Sequence, residues 1–370
     1  MYRFVKEGKV LGPFPGSTRN CAVTGRPLYF YPSFVVPKSK VGSYRWILNA
    51  SHNRGGPSIN DKILNYSTSL ISLKDSLYPC MRTQFMSRID LRRAFKQLFR
   101  SISQLNLLAT VVDDKVFIDA TMSMGLRNTC KLFEEDFMKA FVKGLLHHHP
   151  NLFSDEVGPL VDNYLDDIWF LADTHEKNML QLLIAEHWAI WLGIELNHDK
   201  TVRPCSSMRH LGFIVDLVRK TLSVTEKHIG RIMQHFDHFL GVINRRSRIR
   251  VKNVQKLLGL QIWIGTVFPF ARQYLTSICD LLRIADGRKF FHPRRHKLLT
   301  PRIIYDLKFW RRFVSTSPSA KFDYLLGQMR VNDITLGSDA STSFGMAGVL
   351  IFGKVNPKYK EFDGLFWQLS

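Results

Sequence analysis

Three aspartates lie where their carboxylates could hold metal ions. Asp90 follows the short apolar stretch 85–89, so it is predicted to lie at or near the end of a strand. Asp166 and Asp167 lie between two apolar runs in segment 158–172, a pattern that predicts a β-hairpin with this pair at its turn. Adjacent carboxylates in apolar surroundings are costly unless a cation neutralises them. If the Asp90 strand lies beside the hairpin, the three carboxylates converge as two Mg²⁺ ions would require for phosphoryl transfer.

These features also have plainer interpretations. An Asp-Asp pair alone is usually a polar turn, and only the apolar hairpin and the strand context of Asp90 favour metal binding. The tract 147–149 (HHH) follows an amphipathic segment and precedes Pro150, which indicates a solvated helix end. The five cysteines are far apart and lack metal-ligand spacing. They predict neither a zinc site nor a disulfide framework, and they favour a reducing compartment.

The composition narrows the class of partner. With 370 residues, 45% of them hydrophobic, the chain is long enough for two or three lobes with sizeable cores. Lys and Arg number 52 against 31 Asp and Glu, a net charge of +21 that favours nucleic acid as the partner. A membrane surface would attract the same charge. However, no stretch approaches ~18 uninterrupted apolar residues, and the N-terminus lacks the apolar core of a signal peptide. We therefore expect an intracellular protein of the cytoplasm or nucleus, with no membrane partner.

The elements that must position the aspartates follow from periodicity. Residues 1–80 contain short extended runs such as 34–36 and 46–48, which predict strands joined by basic loops. Helical spacing is found over 131–146, 176–192, 225–243, 251–264 and 302–314, whereas 210–215, 334–336, 346–352 and 364–369 are strand-like. The sequence thus predicts an α+β region, then an all-α region, then the beginning of a further β-containing unit.

Five short segments, taken in chain order, form a recognisable series of motifs. They are 87–95 (SRIDLRRAF), 123–134 (SMGLRNTCKLFE), 164–167 (YLDD), 192–201 (LGIELNHDKT) and 210–216 (HLGFIVD). In this order they resemble the first four palm motifs and the primer grip of reverse transcriptases. The resemblance extends over nearly the whole chain, and the third block is its most specific motif.

The resemblance implies a fold and an activity. The fold would be an α+β right-hand polymerase with fingers, palm and thumb, followed by a helical connection and a truncated RNase H-like start. The corresponding regions are 1–224 (fingers and palm), 225–275 (thumb), 276–330 (connection) and 331–370 (partial RNase H-like domain). The activity would be RNA- or DNA-templated DNA synthesis, in which a primer 3′-hydroxyl attacks the α-phosphate of a dNTP. Asp90, Asp166 and Asp167 would hold two Mg²⁺ ions, for which Mn²⁺ could substitute.

Two blocks near the N-terminus resemble the fingers. They are 34–38 (FVVPK) and 44–49 (YRWILN). The resemblance implies that Arg45 clamps the incoming triphosphate with its fork of donors and that Lys38 or Lys40 assists. A solvated basic loop is the alternative for Lys40.

Four further residues are implied to contact the nucleotide. Phe95 would pack under its sugar and exclude a 2′-hydroxyl, unless it is an ordinary core aromatic. Met124 would line the pocket where many relatives have Gln, and Gly125 would allow the chain to approach the base pair closely. Lys200 would protonate pyrophosphate or neutralise charge. Asn49 stands where the fingers motif commonly has Asp, which puts a local hydrogen bond in doubt.

The distal part of the chain resembles a thumb and then an RNase H domain. Segment 225–229 opens a helix whose acidic residue suits the positive helix N-terminus. Segment 336–341 (LGSDAS) resembles the first RNase H strand, and Asp339 would be its first metal ligand. Glu361 and Asp363 lie in a strand-and-turn region instead of the helix that supplies the second ligand. We therefore expect the chain to end inside that domain and to lack RNase H activity.

Segments 8–14 (GKVLGPF) and 53–61 (NRGGPSIND) resemble the retrotransposon branch that carries tyrosine recombinases, the DIRS-like elements. That branch implies a recombinase or integrase encoded by the same element as a partner. Two alternatives remain open. One is a catalytically silent nucleic-acid-binding remnant of a retroelement. The other is an RNA-directed RNA polymerase, against which Phe95 and the 210–216 hairpin count.

Overall fold

The structure is a computed structural model. It describes residues 1–37, 42–53, 55–64, 68, 70–245, 248–285, 287, 289–291, 299–326, 334–341, 345–352 and 364–369. The chain divides into two compact units. The first contains Met1–His238 and Arg311–Ser319, and the second contains Phe239–Trp310 and Ala320–Ser370.

The strands of the described residues are β1 (Val10–Pro15), β2 (Ser33–Pro37), β3 (Tyr44–Leu48), β4 (Phe85–Asp90), β5 (Ala109–Val112), β6 (Lys115–Asp119), β7 (Val161–Tyr164), β8 (Asp167–Ala172), β9 (Val202–Cys205), β10 (Ser207–His210), β11 (Phe213–Asp216), β12 (Thr221–Val224), β13 (Ile249–Arg250), β14 (Phe290–Phe291), β15 (Ser319–Lys321), β16 (Ile334–Ser341), β17 (Gly345–Phe352) and β18 (Gly364–Leu369).

The α-helices of the same residues are α1 (Tyr2–Lys6), α2 (Ile59–Lys62), α3 (Leu73–Leu77), α4 (Thr129–Lys131), α5 (Lys139–His148), α6 (Pro150–Phe153), α7 (His175–Trp191), α8 (Glu226–Asn244), α9 (Val251–Gly265), α10 (Thr276–Ile284), α11 (Leu299–Ser315) and α12 (Phe322–Leu326). The predicted α+β organisation and the long helices of the distal half are therefore confirmed. The division into four functional regions stays a prediction.

An antiparallel sheet with the order β7-β8-β4-β9 forms the centre of the first unit. On one face of this sheet Ile89 of β4 and Ile168 and Phe170 of β8 are fully buried. The same face packs against α5 and α7 through residues such as Phe141 and Leu182. This sheet holds the turn between β7 and β8 in a fixed place beside the end of β4.

The first unit contains three further groups of paired strands. Strands β1, β6 and β5 form one antiparallel sheet, and β2 and β3 form an exposed hairpin. Strands β10, β11 and β12 form an antiparallel meander. Segment 210–215 was predicted as one strand, and that prediction is wrong, because Leu211 and Gly212 have positive φ and turn the chain between β10 and β11. The hairpin implied by the resemblance is what the chain forms.

The predicted helix over 131–146 is also interrupted. Its segment Leu132–Met138 is a π-helix between α4 and α5. A π-helical turn inserts an extra residue and changes which side chains share a face. Spacing alone did not indicate this insertion, and it brings Glu134 to the inner side of the helix, where only 2% of the residue is exposed.

In the second unit, helices α9 and α10 pack on one another with Val254, Leu257 and Ile278 buried. A buried hydrogen bond of 2.5 Å joins the Ser277 hydroxyl to the Asp306 carboxylate. Strands β16, β17 and β18 form an antiparallel sheet, as the sequence predicted for this region. Among the helices of the described residues, none combines the length and apolar character needed to cross a bilayer.

Candidate active site

The three predicted aspartates meet at one edge of the central sheet. Asp90 ends β4 and is the cross-strand partner of Asp167, the first residue of β8. Asp166 occupies the two-residue turn before β8, and its carbonyl accepts a hydrogen bond of 3.1 Å from the Leu91 amide. The buried apolar residues of β4 and β8 set this register. A slip of one position would move the side chains of a strand to the opposite face of the sheet.

Cationic and amide side chains surround the Asp90 carboxylate. The Lys200 ammonium lies 2.8 Å from Oδ2 and 3.1 Å from Oδ1 of Asp90. The Asn197 amide donates to Oδ1 at 2.8 Å, and the Asn197 backbone N–H donates to the Asp90 carbonyl at 2.8 Å. Asp90 is only 4% exposed. Lys200, which was predicted to act at this site, is therefore brought directly onto one of the predicted metal ligands.

Arg88 places a positive charge beside the Asp167 carboxylate, as Lys200 does beside Asp90. It lies two residues before Asp90, so both side chains project from the same face of β4. Its guanidinium lies 3.6 Å from the Asp167 carboxylate and donates a hydrogen bond of 3.1 Å to the carbonyl of Arg209 in β10. Arg88 thus links the three aspartates to the β10–β11 hairpin, which resembles the primer grip. No role for Arg88 was predicted from the sequence, although its spacing of two residues from Asp90 was a usable signal.

The electrostatic environment is that of a carboxylate cluster which lacks enough positive charge. Burial raises the pKa of Asp166 above its ordinary value, and the Asp90 carboxylate raises it further. Burial also raises the pKa of Asp167; the Arg88 guanidinium opposes this rise, and the Asp166 and Asp90 carboxylates add to it. A divalent cation would reverse these shifts, since it favours the charged form of every carboxylate that it contacts.

The donor chemistry fits a hard cation. Three carboxylates on two neighbouring strands offer oxygen ligands of the kind that Mg²⁺ and Mn²⁺ prefer, and they offer no soft sulfur ligand. In the part of the chain that the structure describes, no group of three or more His, Cys, Asp or Glu side chains is arranged so that it could already hold a metal ion. Lys200 and Arg88 instead balance part of the negative charge, so a metal would require small side-chain movements at this edge.

Glu134 supports the turn between β7 and β8. Its Oε2 accepts a hydrogen bond of 2.8 Å from the backbone N–H of Leu165, the first turn residue. Leu165 has φ of 52°, a left-handed conformation that residues with a side chain adopt at a cost. Burial raises the pKa of the Glu134 carboxyl, and its hydrogen bonds with Leu165 and Asn163 lower it. The π-helix places Glu134 here, so its role could not be read from the sequence.

Two of the predicted nucleotide contacts, Lys200 and Arg45, lie near the aspartates. Arg45 is on β3, exposed, and near enough for its charge to lower the pKa of Asp166. Phe95 is half-buried and packs edge-to-face on Phe133, with 5.1 Å between the ring centroids. This contact belongs to the hydrophobic core, and the packing of Phe95 under a nucleotide sugar stays a prediction. Lys38, like Lys40, lies outside the described residues.

Met124 and Gly125 form a tight loop against the end of β3. Gly125 has φ of 120°, and a Cβ atom built on it would lie 2.3 Å from the carbonyl oxygen of Leu48. No residue other than glycine fits this contact without a shift of the backbone. The close contact at Gly125 is made to the protein's own β3 strand, and the approach of this residue to the base pair stays a prediction.

A second buried acid–base pair lies away from the aspartate cluster. The Lys96 ammonium contacts both oxygens of Asp119, at 2.7 and 2.6 Å, and lies 4.8 Å from the ring centroid of Trp46. Burial lowers the pKa of Lys96, and Asp119 opposes this shift. The sequence analysis did not single out either residue of the pair.

The chain is similar to a viral polyprotein and to solved reverse transcriptase structures. No protein-family model matches it. It is 23% identical over 231 residues to the genome polyprotein of Petunia vein clearing virus, in both the Shepherd and Hohn isolates. This alignment covers 60% of the chain and 10% of the polyprotein.

The solved structures match almost the whole chain. The foamy viral protease-reverse transcriptase dRH in complex with double-stranded DNA gives a TM-score of 0.55 at 16% identity, covering 99% of this chain and 54% of that one. The foamy viral protease-reverse transcriptase in complex with an RNA/DNA hybrid also gives 0.55, covering 99% of this chain and 42% of that one. The chain thus spans about half or less of these proteins. Its fold is that of a reverse transcriptase, and the predicted right-hand architecture is confirmed at this level.

Proposed function

We propose that the chain is an RNA-directed DNA polymerase that extends a primer with dNTPs on an RNA or DNA template. The observation that carries the proposal is the cross-strand pair Asp90 and Asp167 with Asp166 beside it. This pair lies at the edge of the central sheet in a chain with the fold of reverse transcriptases. The similar structures are complexes with double-stranded DNA and with an RNA/DNA hybrid, which supports such a template, and the net charge of +21 supports binding to a polyanion.

The three aspartates would hold two Mg²⁺ ions, or Mn²⁺ in their place. When bound, the metals would activate the primer 3′-hydroxyl and stabilise the leaving pyrophosphate. The chain's own residues would bind and orient the nucleotide. Arg45 would clamp the triphosphate, and Phe95, Met124 and Gly125 would shape the sugar and base pocket.

Lys38 and Lys200 would complete the set of cations around the triphosphate. Lys200 already reaches the catalytic edge through its contact with Asp90, and 59% of its side chain is exposed. It can therefore exchange protons with solvent and move towards the leaving group when the carboxylates bind metal. Positioning and electrostatics would account for most of the rate, as in other phosphoryl transfers.

The test is primer extension on poly(rA)/oligo(dT) with Mg²⁺ and dTTP. We expect incorporation that stops when EDTA removes the metal. Incorporation of UTP in preference to dTTP would favour an RNA-directed RNA polymerase. Binding of the primer–template without any incorporation would favour a silent nucleic-acid-binding remnant of a retroelement.

The affiliation with DIRS-like elements is a further part of the proposal. It rests on segments 8–14 and 53–61 of the sequence. Sequencing the genomic locus on both sides tests it, because a tyrosine recombinase gene next to this reading frame is expected. An integrase of another class, or neither enzyme, would contradict the affiliation and leave the polymerase proposal intact.

A further inference from the structure

Asn60 lies in the segment 53–61, which the proposed polymerase mechanism leaves without a role. Only 5% of this residue is exposed, so its amide must find partners inside the protein. Its Nδ2 donates to the Ser51 hydroxyl at 2.8 Å and to the Gly125 carbonyl at 2.7 Å. Its Oδ1 accepts from the Arg127 backbone N–H at 2.9 Å. Both amide hydrogens and the amide oxygen are therefore used.

The orientation of this amide follows from its partners. A carbonyl oxygen can only accept and a backbone N–H can only donate, so the Gly125 and Arg127 groups require a donor and an acceptor in the order found. Asn60 is itself fixed by α2. Ser58 and Asp61 form a reciprocal capping box at the start of this helix, and the Asn60 backbone N–H donates to Ala50 at 3.3 Å.

The contacts join two parts of the site that are distant in sequence. Ser51 follows β3, the strand that carries Arg45, whereas Gly125 and Arg127 belong to the loop that carries Met124. The same loop touches β3 at the close approach of Gly125 to the Leu48 carbonyl. Asn60 thus fixes the distance between the end of β3, on the proposed triphosphate side, and the loop 123–127, on the proposed base side.

We infer that Asn60 is a positioning residue for the incoming nucleotide, acting through the loop 123–127. The inference rests on the proposed function. Asn60 touches none of the three aspartates, so it should affect nucleotide binding more than the chemical step. A buried amide that loses its partners, or carbonyl and N–H groups left unpaired in its place, weakens the loop without removing a catalytic group.

The test is single-turnover incorporation of one dNTP, which separates the nucleotide dissociation constant from the maximal rate. Asn60→Ala should raise the dissociation constant about tenfold, the cost of one or two unpaired buried groups, and change the maximal rate less than about threefold. Asn53→Ala is the matched control, because Asn53 is an exposed asparagine in the same segment. It should behave as the parent chain does.

Asn60→Asp separates positioning from packing. The aspartate has almost the same shape and can still accept from Arg127, but it places a second oxygen against the Gly125 carbonyl. We therefore expect Asn60→Asp to weaken nucleotide binding at least as much as Asn60→Ala. If Asn60 only filled space, the isosteric variant would bind dNTP as the parent does, and that result would overturn the inference.

The remaining outcomes are also decisive. If the parent incorporates dNTP and Asn60→Ala binds it normally, the inference is wrong and the proposed function stands. If Asn60→Ala lowers the maximal rate and the melting temperature together without weakening nucleotide binding, the residue has a general structural role and the inference fails. If the parent neither binds nor incorporates dNTP on a primer–template, the proposed function fails and takes the inference with it.

Discussion

Two hairpins of the first unit each carry an adjacent pair of aspartates. In the β5–β6 hairpin, Asp113 and Asp114 form the two-residue turn, both with positive φ, and both are exposed. In the β7–β8 hairpin, Asp166 lies in the turn and Asp167 begins the second strand, and both are partly buried beside Asp90. The first pair is the ordinary polar turn that an Asp-Asp sequence usually indicates.

The difference lies in what surrounds each pair. Water screens the charges of Asp113 and Asp114, so their mutual repulsion costs little. The β7–β8 pair lies beside a third carboxylate, and two cationic side chains and the Glu134 acceptor hold the arrangement together. A sequence motif therefore becomes a candidate catalytic site through the strands placed next to it. Changes at Asp119, His210, Glu134 and Lys200 test what surrounds the two pairs, and a final exchange tests the pairs themselves.

The largest effect is expected at Asp119, which lies at the buried end of β6, away from the exposed turn of the β5–β6 hairpin. Asp119 ends β6, has a fully buried side chain and binds Lys96. Asp119→Ala leaves the Lys96 ammonium buried without its partner, which should lower the free energy of unfolding by about 3–5 kcal/mol. Urea denaturation followed by tryptophan fluorescence measures this loss. Replacing both residues, by Asp119→Leu and Lys96→Met, should recover much of it; an equal loss in the double variant would contradict the account.

The next effect concerns pH at the central sheet. His210 stacks on Trp169 at 3.8 Å, and neither ring nitrogen has a hydrogen-bond partner. Burial lowers the pKa of His210 to about 3, so the folded chain keeps it neutral while the unfolded chain binds a proton below about pH 6.5. The contribution of neutral His210 to the free energy of unfolding is therefore fully present above about pH 6.5 and is lost as the pH falls.

Between pH 7 and pH 5 this loss should be about 2 kcal/mol. His210→Phe keeps the stacked ring and removes the titration, so the difference in unfolding free energy between parent and variant should change by that amount across the range. The comparison with the variant cancels the other titrating groups. A difference that is constant from pH 7 to pH 5 would show that His210 takes up its proton at the same pH in the folded and unfolded chains, which contradicts the lowered pKa.

A smaller effect is expected at Glu134, which accepts a hydrogen bond from the turn between β7 and β8. Glu134→Ala removes the acceptor for the Leu165 N–H, so the turn loses the contact that holds it in a left-handed conformation. We expect primer extension to slow about tenfold, equivalent to ~1.4 kcal/mol. Glu134→Gln retains a carbonyl acceptor and should stay within about threefold of the parent. If both variants were equally slow, the negative charge of Glu134, and not its acceptor, would matter.

The smallest change in stability is expected for Lys200→Ala. Although the Lys200 ammonium contacts Asp90, 59% of its side chain is exposed, so water replaces much of the interaction. The free energy of unfolding should fall by less than about 1 kcal/mol, in contrast to the loss for Asp119→Ala. Thermal unfolding of the two variants side by side measures the contrast. Equal losses would mean that the Asp90–Lys200 pair is a structural ion pair.

The position of the three aspartates could be predicted because their sequence signals are local. Asp90 ends an apolar strand and Asp166–Asp167 interrupt a hairpin, and the buried faces of β4 and β8 then allow only one register. Arg88 was within reach of the same reasoning, because residues two apart share a face of a strand.

Other contacts depend on the folded chain. Glu134 reaches Leu165 through a π-helical segment that spacing does not indicate, and Asn60 meets Gly125 across 65 positions. Lys96 and Asp119 are buried together although each is a charged residue that would be expected at the surface. Long-range polar contacts of this kind have no local sequence signal.

The most direct test exchanges the carboxylates of each hairpin for amides in the whole chain. Primer extension should fall at least about 10³-fold in Asp166→Asn plus Asp167→Asn, because the metals lose their ligands. Asp113→Asn plus Asp114→Asn changes the same residue types in the exposed hairpin and should extend the primer at the parent rate. If Asp166→Asn plus Asp167→Asn extends the primer as fast as this control, the polymerase site is not at the β7–β8 hairpin.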